Sequence, residues 1–570
     1  MQPSPPDFPS PHDEYRQHLI PLALICVLPL FPPETRGESM AGSALLILML
    51  GLLNWRGRLT ATGALPLALG LLLYFPALLL ALAPGAVVEP ISVLLLGAAV
   101  GIYSAELDPG RRRTAALPLA LALAASVVAL HALIQSLWGL DALAARIEAG
   151  ELMADRQLVL ERVREGRAFA AFATPASLGG FLVVAIPVTV GAAVGRPGRW
   201  RWVLLALGAL QTAGLLASAS ATAAAALVAA VALWALARRG ARRQVLASLA
   251  VVLAILGGVV LIRGAQVTDM TAPGSPWRLR AGNFRIAVEM IADYPLVGVG
   301  PGGFGEVFPR YRRAGDNETQ HVHNLPLELC AEWGIAVGLI LSVLFYYLYL
   351  GPVLRSRPRG PPWVSGAAIG LAALAIQNLA DFTVLLPSLL WLSAILRGWI
   401  ALPPASIRGP APRLVAVGGL AAVVVAACLT GLAGLGWNAR VDARQELALG
   451  NGTDAARLVA RGTRLAPWNP DGWLHRAQIG LAEAERLGSS SEALTGALED
   501  VRRSITGSPV RPAARMVRAR LRALQGDLPG ACADAAEAAR LYPLRVEYAR
   551  ARDDLMGRLS QGRSREVAVP

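Results

Sequence analysis

The sequence predicts an all-α protein, a bundle of about thirteen membrane-spanning helices followed by a soluble domain of helical repeats. Three observations lead to this class. Of the 570 residues, 55% are hydrophobic and only 16% are charged, whereas soluble proteins have about 25% charged residues. The charge deficit lies in the first 435 residues, where apolar runs long enough to cross a bilayer recur. From Trp437 the composition changes to alanine, arginine, glutamate and aspartate with helical periodicity.

The apolar runs predict the individual spans. Backbone groups in lipid need hydrogen-bond partners within their own segment, so helices are the expected form. The first run is short and contains Pro21 and Pro29, and the polar segment before it is followed by no clear cleavage site, which predicts an uncleaved span. The predicted spans lie near 19–33, 39–54, 62–83, 90–104, 114–138, 174–195, 202–217, 219–237, 244–262, 326–350, 363–380, 384–401 and 414–435.

The arginines between these runs predict the orientation. All 53 basic residues are arginine, and the formal net charge is +14. Arginine clusters follow the even-numbered spans, whereas the short odd-numbered exits 84–89 and 381–383 contain none. Positive charge accumulates in cytoplasmic loops, so the N-terminus is expected in the cytoplasm. The tail and two long loops, 139–173 and 263–325, are then expected outside. This distribution favours membrane topology over nucleic-acid binding. The clusters are Arg56 and Arg58; Arg111, Arg112 and Arg113; Arg196, Arg199 and Arg201; Arg238, Arg239, Arg242 and Arg243; Arg355, Arg357 and Arg359; and Arg408 and Arg413.

The tail, 436–570, resembles tetratricopeptide repeats. Pro467, Pro509 and Pro543 are spaced 42 and 34 residues apart, close to the 34-residue period of such repeats. The tail is predicted either to dock a partner or a glycan chain or to be a helical cap without a partner. The four cysteines show no CxxC pair and no metal-ligand spacing, so they are expected to be small hydrophobic residues.

The second long loop and the helix after it contain the most informative residues. Residues 280–293 have the periodicity of an amphipathic helix, expected at the membrane interface. Gly298, Gly300 and Gly302 then predict a flexible turn where the backbone can approach a ligand closely. His323 and Asn324 directly precede the next span, and Asn324 is suited to cap its first turn.

Several features of this chain resemble the O-antigen ligase/polymerase family. They are Arg280 at the start of a helix, DYPLVGVGPGGF (293–304), His323 with Asn324, Glu332 with Gly334, and, upstream, Arg167 before the proline-led segment FATPASLGGFLVVAIP (172–187). The resemblance covers roughly residues 20–400. Phe284 stands where members often have tryptophan and Gly303 where asparagine is common, and neither difference removes a charge.

The resemblance implies transfer of a glycan from an undecaprenyl-diphosphate donor to an acceptor hydroxyl. Arg167 and Arg280 are expected to bind the diphosphate, because guanidinium is always charged and binds phosphate through two hydrogen bonds; Arg278 is a rival to Arg280. His323 is the expected general base, since imidazole titrates near neutral pH. An arginine-bound diphosphate can do without a metal, so we expect metal-independent, inverting transfer without a cofactor.

Other polar residues are weaker candidates. His321 is an alternative base. Glu328 and Glu332 share a helix face and are expected either to orient an arginine or only to balance its charge. Arg285 and Glu289 are expected to pair on the solvated face of their helix. The run Arg310, Arg312 and Arg313 is expected to face water or lipid headgroups. Asp381 is a weak candidate for the site, because a charge is costly at this position.

The sequence leaves the acceptor open. A ligase that adds glycan to the lipid core of lipopolysaccharide, a polymerase and a protein O-oligosaccharyltransferase would share this chemistry. A small-anion transporter is a different class, disfavoured because the chain shows no matching halves, and an inactive scaffold is a third. The expected partners are a lipid-diphosphate glycan donor, a glycan or lipid-linked acceptor, membrane lipids and, if the tail docks one, a protein. The expected location is the bacterial inner membrane, with the tail in the periplasm.

Overall fold

The structure is a computed structural model. It describes residues 11–55, 61–106, 116–148, 163, 166–238, 250, 253–254, 257–261, 275–354, 360–401, 412–487 and 492–567. Every regular element within these ranges is helical, which confirms the predicted all-α class. Most of the predicted span 244–262, parts of both predicted long loops and several of the arginine clusters lie outside the described residues.

The apolar part of the chain forms helices close to the predicted spans. The first nine are α1 Pro11–Leu30, α2 Gly37–Trp55, α3 Ala61–Leu80, α4 Pro84–Glu106, α5 Ala116–Ile134, α6 Leu140–Glu148, α7 Pro175–Val194, α8 Arg199–Ser218 and α9 Ala221–Leu236. After residue 275 follow α10 Pro276–Asp293, the single turn α11 Phe304–Val307, α12 Leu325–Trp333, α13 Ile335–Leu354, α14 Pro362–Gln377, α15 Pro387–Ile400 and α16 Arg413–Ala448.

Several of these helices can cross a membrane. Six are long and apolar enough by length and composition: Pro84–Glu106, Ala116–Ile147, Pro175–Val194, Arg199–Ser218, Ile335–Leu354 and Arg413–Ala448. Shorter apolar helices are Leu19–Leu30, Gly37–Leu52, Ala64–Leu80, Ala221–Leu236 and Pro362–Gln377. The chain is therefore a multi-pass membrane protein, and the number of thirteen spans stays a prediction.

The predicted span 326–350 is wrong as a single helix, because Gly334 divides it into α12 and α13. Gly334 has a φ of +77°, a conformation that side chains rarely adopt. A Cβ at this position would overlap the carbonyl oxygen of Leu296. The amide of Ile335 donates to the carbonyl of Pro295 at 2.9 Å. The break therefore lets the segment after α10 pack directly against the junction of α12 and α13.

Small residues set the packing at the centre of the bundle. Helix α7 is mostly buried and packs against α14 along its length. A Cβ at Gly366 of α14 would overlap the carbonyl oxygen of Pro187, and one at Gly370 would lie 2.7 Å from that of Val184. Two glycines four residues apart allow close approach of two helices in lipid. This contact fixes the end of α14 that leads into the segment 378–386.

One end of the bundle is built from segments that the arginine distribution places outside the cell. The hydroxyl of Thr35 donates to the carbonyl of Ala171 at 3.2 Å. Glu34 accepts the hydroxyl of Ser388 at 2.5 Å and its amide at 3.2 Å, which satisfies a donor at the start of α15. These contacts join the turn after α1 to the segments before α7 and α15.

The tail consists of α17 Gly452–Leu465, α18 Pro470–Leu487, α19 Glu492–Gly507, α20 Pro512–Gln525, α21 Leu528–Leu541 and α22 Val546–Val567. Successive helices pack against each other, with two small apolar cores between them. The predicted domain boundary at 435 lies inside α16, which continues to Ala448. The assignment to tetratricopeptide repeats stays a prediction.

Candidate active site around a buried aspartate

Asp381 lies at the centre of the polar contacts at this end of the bundle. It follows α14 in a turn that Asn378 stabilises, because the Asn378 side chain donates to the carbonyl of Leu374 at 2.8 Å and accepts the amide of Val384 at 3.1 Å. The Asp381 side chain is 1% exposed, and its Oδ1 accepts the amide of Phe382 at 3.0 Å. A buried carboxylate is stable only with such partners.

Three side chains from different parts of the chain approach Asp381. The Nδ1 atom of His323 lies 3.5 Å from Oδ1. On the other oxygen, Oδ2, the guanidinium NH2 of Arg280 lies at 4.0 Å and the hydroxyl of Thr222 at 3.5 Å. Burial alone would raise the pKa of Asp381, but the close contact and charge of His323 and the charge of Arg280 outweigh it and lower that pKa. Asp381 therefore stays ionised between an imidazole and a guanidinium.

His323 is held in an unusual backbone conformation. Its φ is +63°, in the left-handed region that residues other than glycine seldom occupy. The next residue, Asn324, caps α12 as predicted, since its Oδ1 accepts the amide of Leu327 at 2.9 Å, and its Nδ2 donates to the carbonyl of Leu379 at 2.8 Å. The His323 ring meets the edge of Phe382 with ring centroids 4.8 Å apart. Within the described residues, Nε2 of His323 has no hydrogen-bond partner.

His321 is placed differently from His323. Its ring stacks on Phe382 at a centroid distance of 4.0 Å, and its Nδ1 lies 2.5 Å from Oε1 of Glu328. Burial would lower the pKa of His321, but the charge and hydrogen bond of Glu328 outweigh it and raise that pKa. Oε2 of Glu328 accepts the amide of Val322 at 3.2 Å. His321 is therefore part of a fixed ion pair under Phe382 that favours its protonated form, so its ring is less available to accept a proton.

The Glu332 carboxyl group contacts the backbone at the end of the glycine turn. Its Oε1 accepts the amide of Phe304 at 3.4 Å. Burial and the charge of Glu328 raise the pKa of Glu332 to about 8. In the described residues the two carboxyl groups hold backbone amides and His321, and the expectation that they orient an arginine or balance its charge stays a prediction.

The glycines of the turn are required by close packing within the protein, while the predicted approach of a ligand to this turn stays a prediction. Gly298, Gly300 and Gly302 all have positive φ, at +69°, +97° and +71°. A Cβ at Gly298 would overlap the carbonyl of Glu332, one at Gly300 would overlap Ala81, and one at Gly302 would lie 2.7 Å from Pro90. These glycines are needed because the turn packs between α4 and α12.

Arg280 and Arg278 differ in their surroundings. The Nε of Arg280 donates to the carbonyl of Ala380 at 2.8 Å, and NH1 lies 3.4 Å from the carbonyl of Pro276. Arg278 is exposed and has no hydrogen bond or ion pair within the part of the chain that the structure describes. The arrangement therefore favours Arg280 for the role that the sequence left open between the two.

Arg167 lies at the end of α8, next to the segment that reaches Asp381. Its Nε donates to the carbonyl of Ser218 at 3.2 Å, a favourable position for a cation at a helix C-terminus. Two residues further, the hydroxyls of Ser220 and Thr222 lie 3.4 Å apart, and Thr222 contacts Asp381. A short chain of contacts thus connects Arg167 to the same carboxylate as Arg280 and His323.

The remaining charged residues of this region pair with each other. Arg285 and Glu289 form the predicted pair at 3.0 Å, and Arg285 also contacts Asp316 at 2.6 Å. Arg313 contacts Glu289, and Arg312 contacts Glu318 at 2.8 Å. Arg310 donates to the hydroxyl of Tyr294 at 3.1 Å. These residues form a surface network that does not reach Asp381.

The sequence underrated Asp381 and missed Thr222 and Phe382. The one signal for Asp381 was the cost of a charge near the end of an apolar run, which made it only a weak candidate. Nothing in the sequence pairs Asp381 with His323 or Thr222, because the three residues belong to segments far apart in the chain. Their contact depends on how α9, α12 and α14 pack.

A family model described as O-Antigen ligase matches residues 203–343. The matched part extends from α8 to α13 and contains Arg280, His323, Glu328 and Glu332, whereas Arg167 and Asp381 lie outside it. No curated protein matches the chain. The match supports a relationship to this ligase family and glycosyl transfer of the O-antigen ligase type in general.

Proposed function

We propose that this chain transfers a glycan from a lipid diphosphate, such as undecaprenyl diphosphate, to an acceptor hydroxyl at the outer face of the inner membrane. One observation carries the proposal: His323 and Arg280, a base and a cation, meet at the two oxygens of Asp381. Glycosyl transfer from a diphosphate needs such a pair, because a proton leaves the acceptor while negative charge develops on the leaving group.

His323 is the general base in this proposal. Asp381 faces its Nδ1 atom, which favours the proton on that nitrogen and leaves Nε2 to accept one. The acceptor oxygen attacks the anomeric carbon of the donor while its proton passes to Nε2. Asp381 then stabilises the resulting imidazolium. The buried, ionised carboxylate thus has the role of a positioning group and does not itself take the proton.

Arg280 binds the leaving diphosphate. Its Nε is engaged by the Ala380 carbonyl, which fixes the plane of the guanidinium. Its NH2 is 4.0 Å from Asp381, too long for a strong hydrogen bond, so this nitrogen can donate to a phosphate oxygen. As the bond between the anomeric carbon and the phosphate oxygen breaks, the electron pair stays on the diphosphate. Attack from the opposite face inverts the anomeric configuration.

Arg167 is the second cation of the proposal. It lies beside Ser218 and is connected to Asp381 through the neighbouring residues Ser220 and Thr222. The attraction between a guanidinium and a diphosphate is strong in a site with little water. Two arginines from separate segments would hold both phosphates, so no metal ion is required for the charge. Arg278, which is exposed, attracts the negatively charged donor without contacting the reacting atoms.

The test is transfer by the purified protein in lipid. A radiolabelled glycan on a polyprenyl diphosphate is supplied with candidate lipid-linked, saccharide and peptide acceptors, with and without EDTA. We expect a labelled product, and equal rates in EDTA. The type of acceptor used separates a ligase, a polymerase and a protein O-oligosaccharyltransferase. Uptake of small anions into proteoliposomes without any transfer would replace the proposal by a transporter.

A further inference from the structure

The tail makes a buried ionic contact with the segment that contains the candidate site. Arg511, between α19 and α20, donates through Nε to Oε2 of Glu306 at 3.0 Å and contacts Oε1 through NH2. Ser508 donates its hydroxyl to the same carboxylate at 2.7 Å. Arg511 and Glu306 are only 12% and 15% exposed. Three donor–acceptor contacts on one nearly buried carboxylate give a defined geometry.

Arg511 is itself held in place by the tail. Its NH1 contacts Asp471 at the start of α18. Burial works against its charge, but Asp471 and Glu306 outweigh this effect and raise its pKa, so Arg511 is always a cation. The guanidinium therefore connects a carboxylate of the tail to a carboxylate of α11. Lysine could not bridge both in the same way, because its charge lies on a single nitrogen.

Helix α11 is connected directly to the residues of the candidate site. The amide of Phe304, at its start, donates to Glu332 of α12. Phe304, Val307 and Val322 lie in one buried apolar cluster. Val322 stands between His321 and His323, and the same cluster includes residues of α10, the helix of Arg280. A shift of α11 would therefore be passed to both histidines and to Arg280, because packed cores do not deform freely.

Other contacts seat the tail on the same end of the bundle. The hydroxyl of Tyr542 donates to Glu318 at 2.7 Å, and the guanidinium of Arg312 lies over the Tyr542 ring, 5.5 Å from its centroid. Val510 of the tail packs against the apolar cluster of α11. A Cβ at Gly85, at the start of α4, would lie 2.5 Å from the carbonyl of Trp468. This face of the tail is thus occupied by the membrane part of its own chain.

We propose that Arg511 is a positioning residue, through which the tail holds α11 and the following segment so that His323 and Arg280 keep their places at Asp381. The role rests on the proposed glycosyl transfer. This role makes the tail part of the support of the candidate site, in addition to any docking surface that its other faces provide. Arg511 does not touch the reacting groups, so its effect is indirect.

The experiment compares variants of the full-length protein in nanodiscs. Glu306→Gln removes the ion pair between Arg511 and α11 but keeps the pair between Arg511 and Asp471 within the tail. Arg511→Gln removes both contacts, and Arg511→Lys keeps the charge. Arg520→Gln, which breaks an exposed pair with Glu485 inside the tail, is the matched control. The two readouts are amide hydrogen exchange at 304–324 and the kinetics of glycan transfer.

We expect faster exchange at 304–324 in Glu306→Gln and Arg511→Gln, and kcat lower by roughly tenfold to a hundredfold with a smaller change in KM for the donor. Arg511→Lys should show smaller changes in exchange and in kcat than Arg511→Gln. Arg520→Gln should have the exchange rates and kcat of the wild type. Unchanged exchange in Glu306→Gln overturns the proposal, as does faster exchange with unchanged kcat. A wild-type protein without transfer overturns the proposed function, while the exchange data separately decide whether Arg511 holds the segment in place.

Discussion

The Nδ1 atom of His323 lies 3.5 Å from Oδ1 of Asp381, at the contact between the N-terminus of α12 and the turn after α14. The other oxygen of the same carboxylate faces Arg280 at 4.0 Å. A single buried carboxylate therefore contacts both the candidate base and the candidate cation.

Replacement of Asp381 by asparagine should strongly reduce glycan transfer. The amide keeps the shape of the side chain but loses the charge that stabilises imidazolium, and it can present its NH2 group to Nδ1 and so favour the wrong tautomer. The loss in kcat should be about a hundredfold or more. Thr222→Val, which removes a 3.5 Å contact to the same carboxylate, should cost much less. Equal losses in the two variants would show that Asp381 has only a packing role.

Glu332 should make the stability of the protein depend on pH. Its pKa is raised from 4.5 to about 8, first by burial and then by the charge of Glu328. The folded state thus binds the proton more tightly than the unfolded state. This contribution to stability is complete below the unfolded pKa and is lost as the pH rises through about 8. Glu332→Gln, which keeps a neutral group, should therefore lose less stability than the wild type at high pH.

The measurement for Glu332 is the apparent Tm of wild type and variant in detergent at about pH 6 and about pH 9. The apparent Tm of Glu332→Gln relative to that of the wild type should be higher at the higher pH than at the lower pH. Glu328→Gln serves as a comparison, because it removes the partner of His321 and should lower the Tm most at the lower pH, where His321 is charged. Parallel pH profiles for Glu332→Gln and wild type would contradict the prediction.

The contact of α7 with α14 predicts the effect of a larger residue at Gly366. A Cβ there would overlap the carbonyl oxygen of Pro187, so Gly366→Ala should destabilise the protein by about 1–3 kcal/mol. The control is Gly351→Ala in α13, where a Cβ would have nothing within 4 Å. The comparison uses the apparent Tm and the yield of folded protein. A Gly366→Ala variant as stable as Gly351→Ala would mean that the two helices do not pack so closely.

The sequence predicted the positions of the apolar helices well because each is an apolar run bounded by polar or charged residues. It was wrong at 326–350, since hydropathy is continuous across Gly334 and only the approach of Leu296 requires a break there. The boundary at 435 marks a change of composition inside α16, whereas the helix ends before Gly450, which has a φ of +85°. The first error arises from a tertiary contact that periodicity does not encode, and the second from the use of composition in place of the local stop signal.

The candidate site was predicted in part. Arg280 and His323 were identified from local motifs, and the structure brings both to one carboxylate. The glycines were expected near a ligand because glycine permits close approach, and the structure adds a second reason for them, which is their close contact with Ala81, Pro90 and Glu332. Asp381 was underrated because its partners come from α9, α10 and α12. The contribution of Arg511 was missed, since the tail was considered as a separate domain.

The most direct test of the central claim separates binding from transfer at the shared carboxylate. Binding of a polyprenyl diphosphate and glycan transfer are measured for His323→Ala and Arg280→Ala, with His321→Ala as the comparison. We predict that His323→Ala binds the lipid as tightly as the wild type but does not transfer, that Arg280→Ala loses binding and transfer together, and that His321→Ala keeps measurable transfer. Near wild-type transfer by His323→Ala, or undiminished lipid binding by Arg280→Ala, would contradict the account.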